Sequence, residues 1–88
     1  MQPPEKIDGA DVIEWAWSDA PFGRVGEVKI HGLAICRYAG ASEIYRFSCD
    51  AEWDTQQDQV YESATEAKDE LPEQYRNAKA NWLIVQAQ

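Results

Sequence analysis

The stretch VGEVKIHGLAICRYA, residues 25–39, places large apolar side chains at every second position on both sides of a break in phase at His31-Gly32. The apolar members of the alternation are Val28, Ile30, Leu33 and Ile35. A tight hairpin that turns at His31-Gly32 fits this pattern, and so does one long strand bent there by a bulge. We favour the hairpin, because it places all four apolar side chains on one face of a sheet.

Segments on either side of this stretch also have the composition of β-strands. DVIEWAW at 11–17 alternates with a period of two and gives a strand with a heavy aromatic face. EIYRFSC at 43–49 is a second strand, rich in β-branched and aromatic residues. WDTQQDQVY at 53–61 is more polar and is predicted to be an edge strand or a loop. The turn-forming stretches SDAPFG at 18–23 and AGAS at 39–42 separate these elements.

Helical spacing appears only after residue 62. Ser63 and Glu66 form an S-x-x-E capping box, which is typical of a helix N-terminus. An apolar stripe follows at Ala64, Ala67, Leu71 and Tyr75. Pro72 interrupts it, because proline lacks the backbone N–H and crowds the preceding turn. We therefore predict a helix that stops near Leu71, with a second turn or a kink at PEQY.

These patterns together predict an α+β fold: an antiparallel sheet of four to six strands with one or two short helices packed on one face. The polar, proline-bearing residues 1–10 are predicted to form a loose N-terminal arm, and residues 11–88 a single domain. WLIVQ at 82–86 is apolar on both faces and is predicted to be an interior strand.

The charge of the chain is concentrated in one segment. The formal net charge is −8, and residues 50–74 hold nine acids against Lys68 alone. We call residues 50–74 the acidic segment. Such a field repels phosphates, so binding to nucleic acid or to an anionic membrane surface is not expected. No apolar run reaches the roughly 18 residues of a membrane span, and MQPPEKIDGADV lacks the apolar core of a signal peptide, so we expect a cytoplasmic protein.

Metal and cofactor sites are not predicted. The carboxylates Asp50, Glu52, Asp54 and Asp58 have the spacing of a calcium loop. An EF-hand loop would also need glycine where Thr55 stands and a carboxylate where Tyr61 stands. One histidine and two cysteines do not give zinc-ligand spacing, and the five glycines form neither a P-loop nor a G-x-G-x-x-G motif.

Nucleophilic catalysis by Cys49 with His31 as base is a further hypothesis, which we rank below a non-enzymatic function. Two neighbouring strands could bring the two residues together, with Asp50 as a third member. The surrounding acids argue against it, because they disfavour a thiolate. We therefore interpret SCDAEWD at 48–54 as a strand end that enters an acidic turn. Cys36 and Cys49 are expected to stay reduced in the cytosol.

The leading functional hypothesis is a small non-enzymatic interaction protein, an inhibitor or immunity-like factor that presents the acidic segment to a basic protein partner. The carboxylates expected to steer and register the complex are Asp54, Asp58, Glu62, Glu66 and Glu70. Trp53 and Tyr61 are the expected hot spots, because they are aromatic residues within the charged field.

The alternative hypothesis is a small-molecule binding domain. Its pocket would be built from Trp15 and Trp17, and Arg37 or Arg46 would orient the ligand. Under either hypothesis the apolar last strand could pair two copies of the chain, so we also predict a homodimer.

Overall fold

A computed structural model describes residues 1–85. Its strands are β1 (Lys6–Ile7), β2 (Ala10–Trp17), β3 (Gly23–Val25), β4 (Val28–Ile30), β5 (Gly32–Arg37), β6 (Ile44–Cys49), β7 (Thr55–Tyr61) and β8 (Leu83–Ile84). One α-helix, α1, covers Ala64–Asp69, and a 3₁₀ turn covers Glu73–Tyr75. The fold is thus mostly antiparallel sheet with one short helix, which matches the predicted class in outline. The end of the predicted domain, residues 86–88, lies outside the described residues.

The main sheet has six strands, and its two edges differ. Its order is β1-β2-β5-β6-β7, and β8 pairs with β2 beside β1. One edge of the sheet is therefore β7, and the other is formed by β1 and β8. Strands β3 and β4 form a separate two-stranded sheet.

The favoured hairpin at His31-Gly32 is wrong. Strand β4 pairs with β3 around a turn at Gly26, whose φ is +60°, while β5 pairs with β2 and β6. His31 is the crossing residue: its N–H donates to Cys49 O, and its carbonyl accepts from Ser18 N. The break in phase at His31-Gly32 therefore marks the point where the chain passes from one sheet to the other.

The N-terminal arm is shorter than predicted, because the chain joins the sheet at Lys6. Strand β1 pairs with the start of β2 through a tight turn in which Asp8 and Gly9 both have positive φ. That geometry suits the right-handed twist of an antiparallel hairpin. Ile7 and Ala10 are buried, so the turn anchors this part of the arm to the core.

The predicted helix start and the predicted turn at PEQY are confirmed. The Ser63 hydroxyl accepts a hydrogen bond from Glu66 N at 3.1 Å, which satisfies a donor that the first helical turn leaves unpaired. The helix ends at Asp69, and a 3₁₀ turn begins directly after Pro72. Ala67 and Tyr75 are buried and attach these short elements to the sheet.

The two faces of the main sheet are covered differently. The helix face carries Leu33, Ile35 and Ile44 and packs against α1, the 3₁₀ turn and the small β3–β4 sheet. The opposite face, which we call the aromatic face, has a buried cluster of Ile7, Ala10, Val12, Ala34, Cys36, Phe47, Cys49 and Trp53. Trp15, Trp17, Tyr38 and Tyr45 are half-buried against that cluster. Aromatic side chains thus form the outer layer of this face.

The final apolar segment is an edge strand, so its predicted interior position is wrong. Only Leu83–Ile84 forms β8, and it pairs on one side, with Glu14 and Trp15 of β2. Leu83, Ile84 and Val85 are exposed, with 52%, 68% and 45% of their surfaces accessible. Gln86, the last residue of the predicted strand, lies outside the described residues.

Candidate functional site

The SCDAEWD stretch is a strand end that enters a tight turn, as predicted. The carboxylate of Asp50 organises the turn: its Oδ1 accepts hydrogen bonds from Glu52 N at 2.8 Å and from Asp54 N at 3.0 Å. Trp53 N donates to Asp50 O, and Trp53 adopts a φ of +65°. An aromatic residue rarely adopts this left-handed backbone, and here it directs the indole back over the sheet.

Trp53 belongs to the core of the aromatic face, and its role as a hot spot for a partner stays a prediction. Only 6% of its surface is accessible. Its ring centroid lies 6.2 Å from that of Trp15 and 5.6 Å from that of Trp17. Gly32 lies directly beneath the indole, and a Cβ atom built there would come within 2.5 Å of the ring.

Tyr61 is also buried, with 7% of its surface accessible, and its hydroxyl points into the molecule. The Arg46 guanidinium Nη1 donates to that hydroxyl at 2.7 Å. The same guanidinium lies 5.3 Å from the centroid of the Tyr61 ring and 5.9 Å from that of Tyr75. Tyr61 therefore serves as a partner for a buried arginine, and its role as a hot spot stays a prediction.

The predicted pocket of tryptophans and arginines is not assembled. Trp15 is paired with Ala34, whereas Arg46 is paired with the next residue, Ile35, so the two side chains point to opposite faces of the sheet. Arg46 is only 2% accessible and is enclosed on the helix face. Arg37 is exposed at the end of β5.

An acidic groove forms where β7 meets α1. Its volume is about 710 Å³, and it is lined by Ser42, Glu43, Val60, Tyr61, Glu62 and Glu66. The pairing of Ile44 with Tyr61 brings Glu43 and Glu62 to the same end of the sheet. The first turn of α1 adds Glu66. Val60 gives the groove an apolar patch, because 48% of its surface is accessible.

The carboxylates of the acidic groove are not neutralised by a salt bridge. Two ion pairs join side chains within residues 1–85: Lys6 with Asp11 at 3.6 Å, and Lys68 with Glu14 at 2.8 Å. Lys68 is the single base of the acidic segment, and its partner lies on β2. Within residues 1–85, the three carboxylates of the groove therefore have no ion-pair partner.

Sequence reasoning found part of this groove. Glu62 and Glu66 were predicted contacts and line it, whereas Asp54, Asp58 and Glu70 are exposed elsewhere on the acidic segment. Glu43 and Val60 were missed, because they join the groove through strand pairing. The sole signal in the sequence was that EIYRFSC and WDTQQDQVY could be neighbouring strands.

The backbones of Cys49 and His31 are joined by a hydrogen bond from His31 N to Cys49 O, while the His31 ring has other described partners. His31 Nδ1 lies 2.9 Å from Ser18 O, and its ring stacks on Trp17 with centroids 5.7 Å apart. The Cys49 thiol is fully buried. Burial is the main cause that raises its pKa to about 12, and Asp50 adds to the rise.

We expect both thiols to be inert in the folded protein. Burial raises the pKa of Cys36 and of Cys49 from 9.0 to about 12, so thiolate is scarce at neutral pH. Labelling by iodoacetamide should be at least about a hundredfold slower in the native protein than in urea, because the attacking species is the thiolate. Rapid labelling of Cys49 in the folded state would contradict this prediction and restore the catalytic hypothesis.

The same pKa shifts predict how stability depends on pH. The folded state keeps both thiol protons up to about pH 12, whereas an unfolded chain loses them near pH 9.0. Unfolding therefore releases protons in that window, and the free energy of unfolding should fall as the pH rises through it. Serine variants of Cys36 and Cys49 should lack this component in urea titrations.

Within residues 1–85, no cluster of three or more histidine, cysteine or acidic side chains has a geometry that could hold a metal ion. None of the described helices has the length and apolar character needed to cross a membrane. Comparison with protein-family models, with curated proteins and with solved structures finds no match to this chain.

Proposed function

We propose that this chain is a small non-enzymatic interaction protein, an inhibitor or immunity-like factor that binds a basic protein partner through its acidic groove. The observation that carries the proposal is the set of three unpaired carboxylates, Glu43, Glu62 and Glu66, around the exposed Val60. The cytoplasm is the proposed setting, where Cys36 and Cys49 remain free thiols.

The groove suits a long cationic side chain. The methylene stem of a lysine or arginine can pack on Val60 while its charged end meets the carboxylates of Glu62 and Glu66. Arginine would add forked hydrogen bonds to a carboxylate. The groove opens beside β7, which pairs only with β6 among the described strands, so a partner also meets free backbone groups there.

The rest of the acidic segment acts at longer range. Asp54, Asp58 and Glu70 are exposed outside the groove, and they contribute to a field that attracts a basic protein. Such charges raise the association rate more than they strengthen the final complex, and added salt screens them over about 10 Å. Binding should therefore weaken as salt is added, chiefly through slower association.

The experiment compares two variants of equal net charge. In one, Glu43→Gln, Glu62→Gln and Glu66→Gln neutralise the groove; in the control, Glu27→Gln, Glu52→Gln and Glu73→Gln remove three exposed carboxylates outside it. Each protein is immobilised, bound proteins are identified by mass spectrometry, and the affinity of the most enriched basic protein is measured. Three surface charge pairs at about 0.5 kcal/mol each give a roughly tenfold loss of affinity for the groove variant.

Each result of this comparison has a defined meaning. A clear loss in the groove variant and a small loss in the control support the groove as the contact. Equal losses would mean that only the net charge matters, which overturns the assignment to the groove. Partner capture that is unchanged by added salt would overturn the proposed basic partner altogether.

The small-molecule alternative has less geometric support. Trp15 does line a groove of about 800 Å³, together with the apolar Leu83, Ile84 and Val85. Trp17, Arg37 and Arg46 are not among its lining residues, and the charged groups it contains are the carboxylates of Glu5 and Asp11. A thermal-shift screen in which anionic aromatic compounds raise the melting temperature would favour this alternative over the acidic groove.

A further inference from the structure

We propose that β8 is the surface through which two copies of this chain associate. The proposal starts from the contrast between the two edges of the main sheet. Strand β7 carries glutamines and Asp58 along an exposed edge, and polar and charged side chains of this kind discourage edge-to-edge pairing. Strand β8 has no such protection, because Leu83, Ile84 and Val85 are aliphatic and exposed.

The backbone of β8 is also free on its outer side. Val85 N donates to Ile13 O at 2.9 Å, so the backbone groups of Val85 point toward β2. In an antiparallel ladder successive residues alternate in direction, which turns the N–H and carbonyl of Ile84 away from β2. Among the described strands β8 pairs only with β2, so these two groups can accept another strand.

The charge distribution identifies a second copy as the occupant. Residues 75–85 contain Arg76 and Lys79 and no acid, whereas the acidic segment lies around β7 and α1 at the far edge of the sheet. Two copies joined at β8 thus keep their acidic segments apart. The side chains of β8 itself are uncharged, and of the two carboxylates in the groove beside it, Glu5 and Asp11, the second is already paired with Lys6.

The surroundings of β8 fit a two-fold arrangement. In this arrangement β8 pairs antiparallel with β8 of the second copy, and Ile84 of one copy lies opposite Ile84 of the other. Each contact then occurs twice, once in each direction, as a closed two-fold dimer requires. The groove of about 800 Å³ beside β8, with Val12 and Trp15 among its lining residues, gives room for the side chains of the partner strand. The main sheet would then continue across both copies, and each copy would keep its acidic groove at an outer edge.

The test is the mass of the protein in solution, measured by light scattering after size exclusion at low and at high salt. The wild type should have twice the mass of the 10.0 kDa chain, and salt should leave the dimer intact or strengthen it. Ile84→Lys should raise the dissociation constant by at least about tenfold, because it brings two like charges together on an edge strand. The matched control is Val28→Lys on β4, which adds the same charge at an exposed aliphatic residue.

A second variant tests the backbone pairing itself. Ile84→Pro removes the outward N–H and keeps the inward bond of Val85, so it should also give a monomer. At a concentration where all three proteins are monomers, the Ile84→Lys and Ile84→Pro variants should have the same melting temperature as Val28→Lys. Ile84 contributes little to the folded monomer, because 68% of its surface is accessible. A wild-type monomer at the highest soluble concentration would overturn the proposal, as would a dimer that survives Ile84→Lys or Ile84→Pro or that dissociates in high salt.

Discussion

Replacing Trp53 with alanine is expected to lower the free energy of unfolding by about 3–5 kcal/mol, the range for loss of a large buried aromatic side chain. The indole packs against Trp15 and Trp17 and covers Gly32, so its removal opens a cavity on the aromatic face. Relief of the positive φ of Trp53 offsets little of this loss, because alanine is also disfavoured there. Urea denaturation followed by circular dichroism measures the change.

A double-mutant cycle with Gly32→Ala shows whether the contact itself causes the loss. A Cβ atom at position 32 would lie within 2.5 Å of the Trp53 ring, so Gly32→Ala alone should destabilise the protein by about 1–3 kcal/mol. In the Trp53→Ala background the added methyl has space, and the same substitution should cost little. The two effects should therefore fail to add, as is typical of residues in direct contact.

The cycle also separates a structural role for Trp53 from a role in binding. If Trp53→Ala left the stability unchanged and weakened partner binding, the indole would be a contact for a partner and the buried position would be wrong. Additive effects of Trp53→Ala and Gly32→Ala on the free energy of unfolding would likewise contradict the packing of the Trp53 indole on Gly32. With the expected result, the contacts of the partner must be sought among exposed residues such as Val60 and Glu62.

Local patterns predicted the parts of the fold that depend on neighbours in sequence. Period-two alternation located β2, and β-branched and aromatic composition located β6, because half-buried strands impose both features. The S-x-x-E motif located the start of α1, since the Ser63 hydroxyl pairs a donor three residues away. The polar composition of β7 indicated an edge strand or a loop, and β7 forms one edge of the main sheet, where polar side chains discourage pairing with another strand.

Features that depend on distant pairing were not predictable. The partner of β4 is β3, a three-residue strand with a glycine and an arginine that has almost no signal of its own. The aliphatic composition of β8 suggested an interior strand, but its position is set by the few residues of β2 that β1 leaves unpaired. Composition alone does not distinguish a buried strand from an exposed apolar edge.

The same reason limited the prediction of the site. Trp53 was predicted to be a hot spot because acids surround it in sequence, yet it lies in the core, in a turn organised by the hydrogen bonds of the Asp50 carboxylate. Glu43 lies 19 positions before Glu62 in the sequence, and the pairing register of β6 with β7 brings it to the acidic groove. Charge composition indicated which segment is acidic, and strand register determined which residues line the groove.

Arg46→Met is expected to leave the free energy of unfolding within about 1 kcal/mol of the wild type, whereas Arg46→Ala should lower it by about 3 kcal/mol. Arg46 is buried, and its described partners are neutral: the Tyr61 hydroxyl at 2.7 Å and the carbonyl of Ala67 at 3.4 Å. Its Nε atom is buried without a hydrogen-bond partner. A buried charge with neutral partners contributes little more to the free energy of unfolding than an apolar side chain of similar length would.

Comparing the two Arg46 variants separates packing from charge. Methionine keeps most of the volume that fills the space between Tyr61 and Tyr75, and alanine leaves a cavity there. If Arg46→Met were as unstable as Arg46→Ala, the guanidinium and its hydrogen bonds would be the stabilising element. Urea denaturation of the two variants beside the wild type decides between these outcomes.

The Arg46 variants also bear on the acidic groove, because Tyr61 lines the groove and receives the hydrogen bond of the guanidinium. The positive charge therefore lies behind the Tyr61 side of the groove. The Arg46→Met variant lacks this charge and should bind a basic partner at least as tightly as the wild type does, since like charges repel even across a protein interior. Weaker binding by a stably folded Arg46→Met protein would mean that Arg46 is needed to hold Tyr61 in place for the partner.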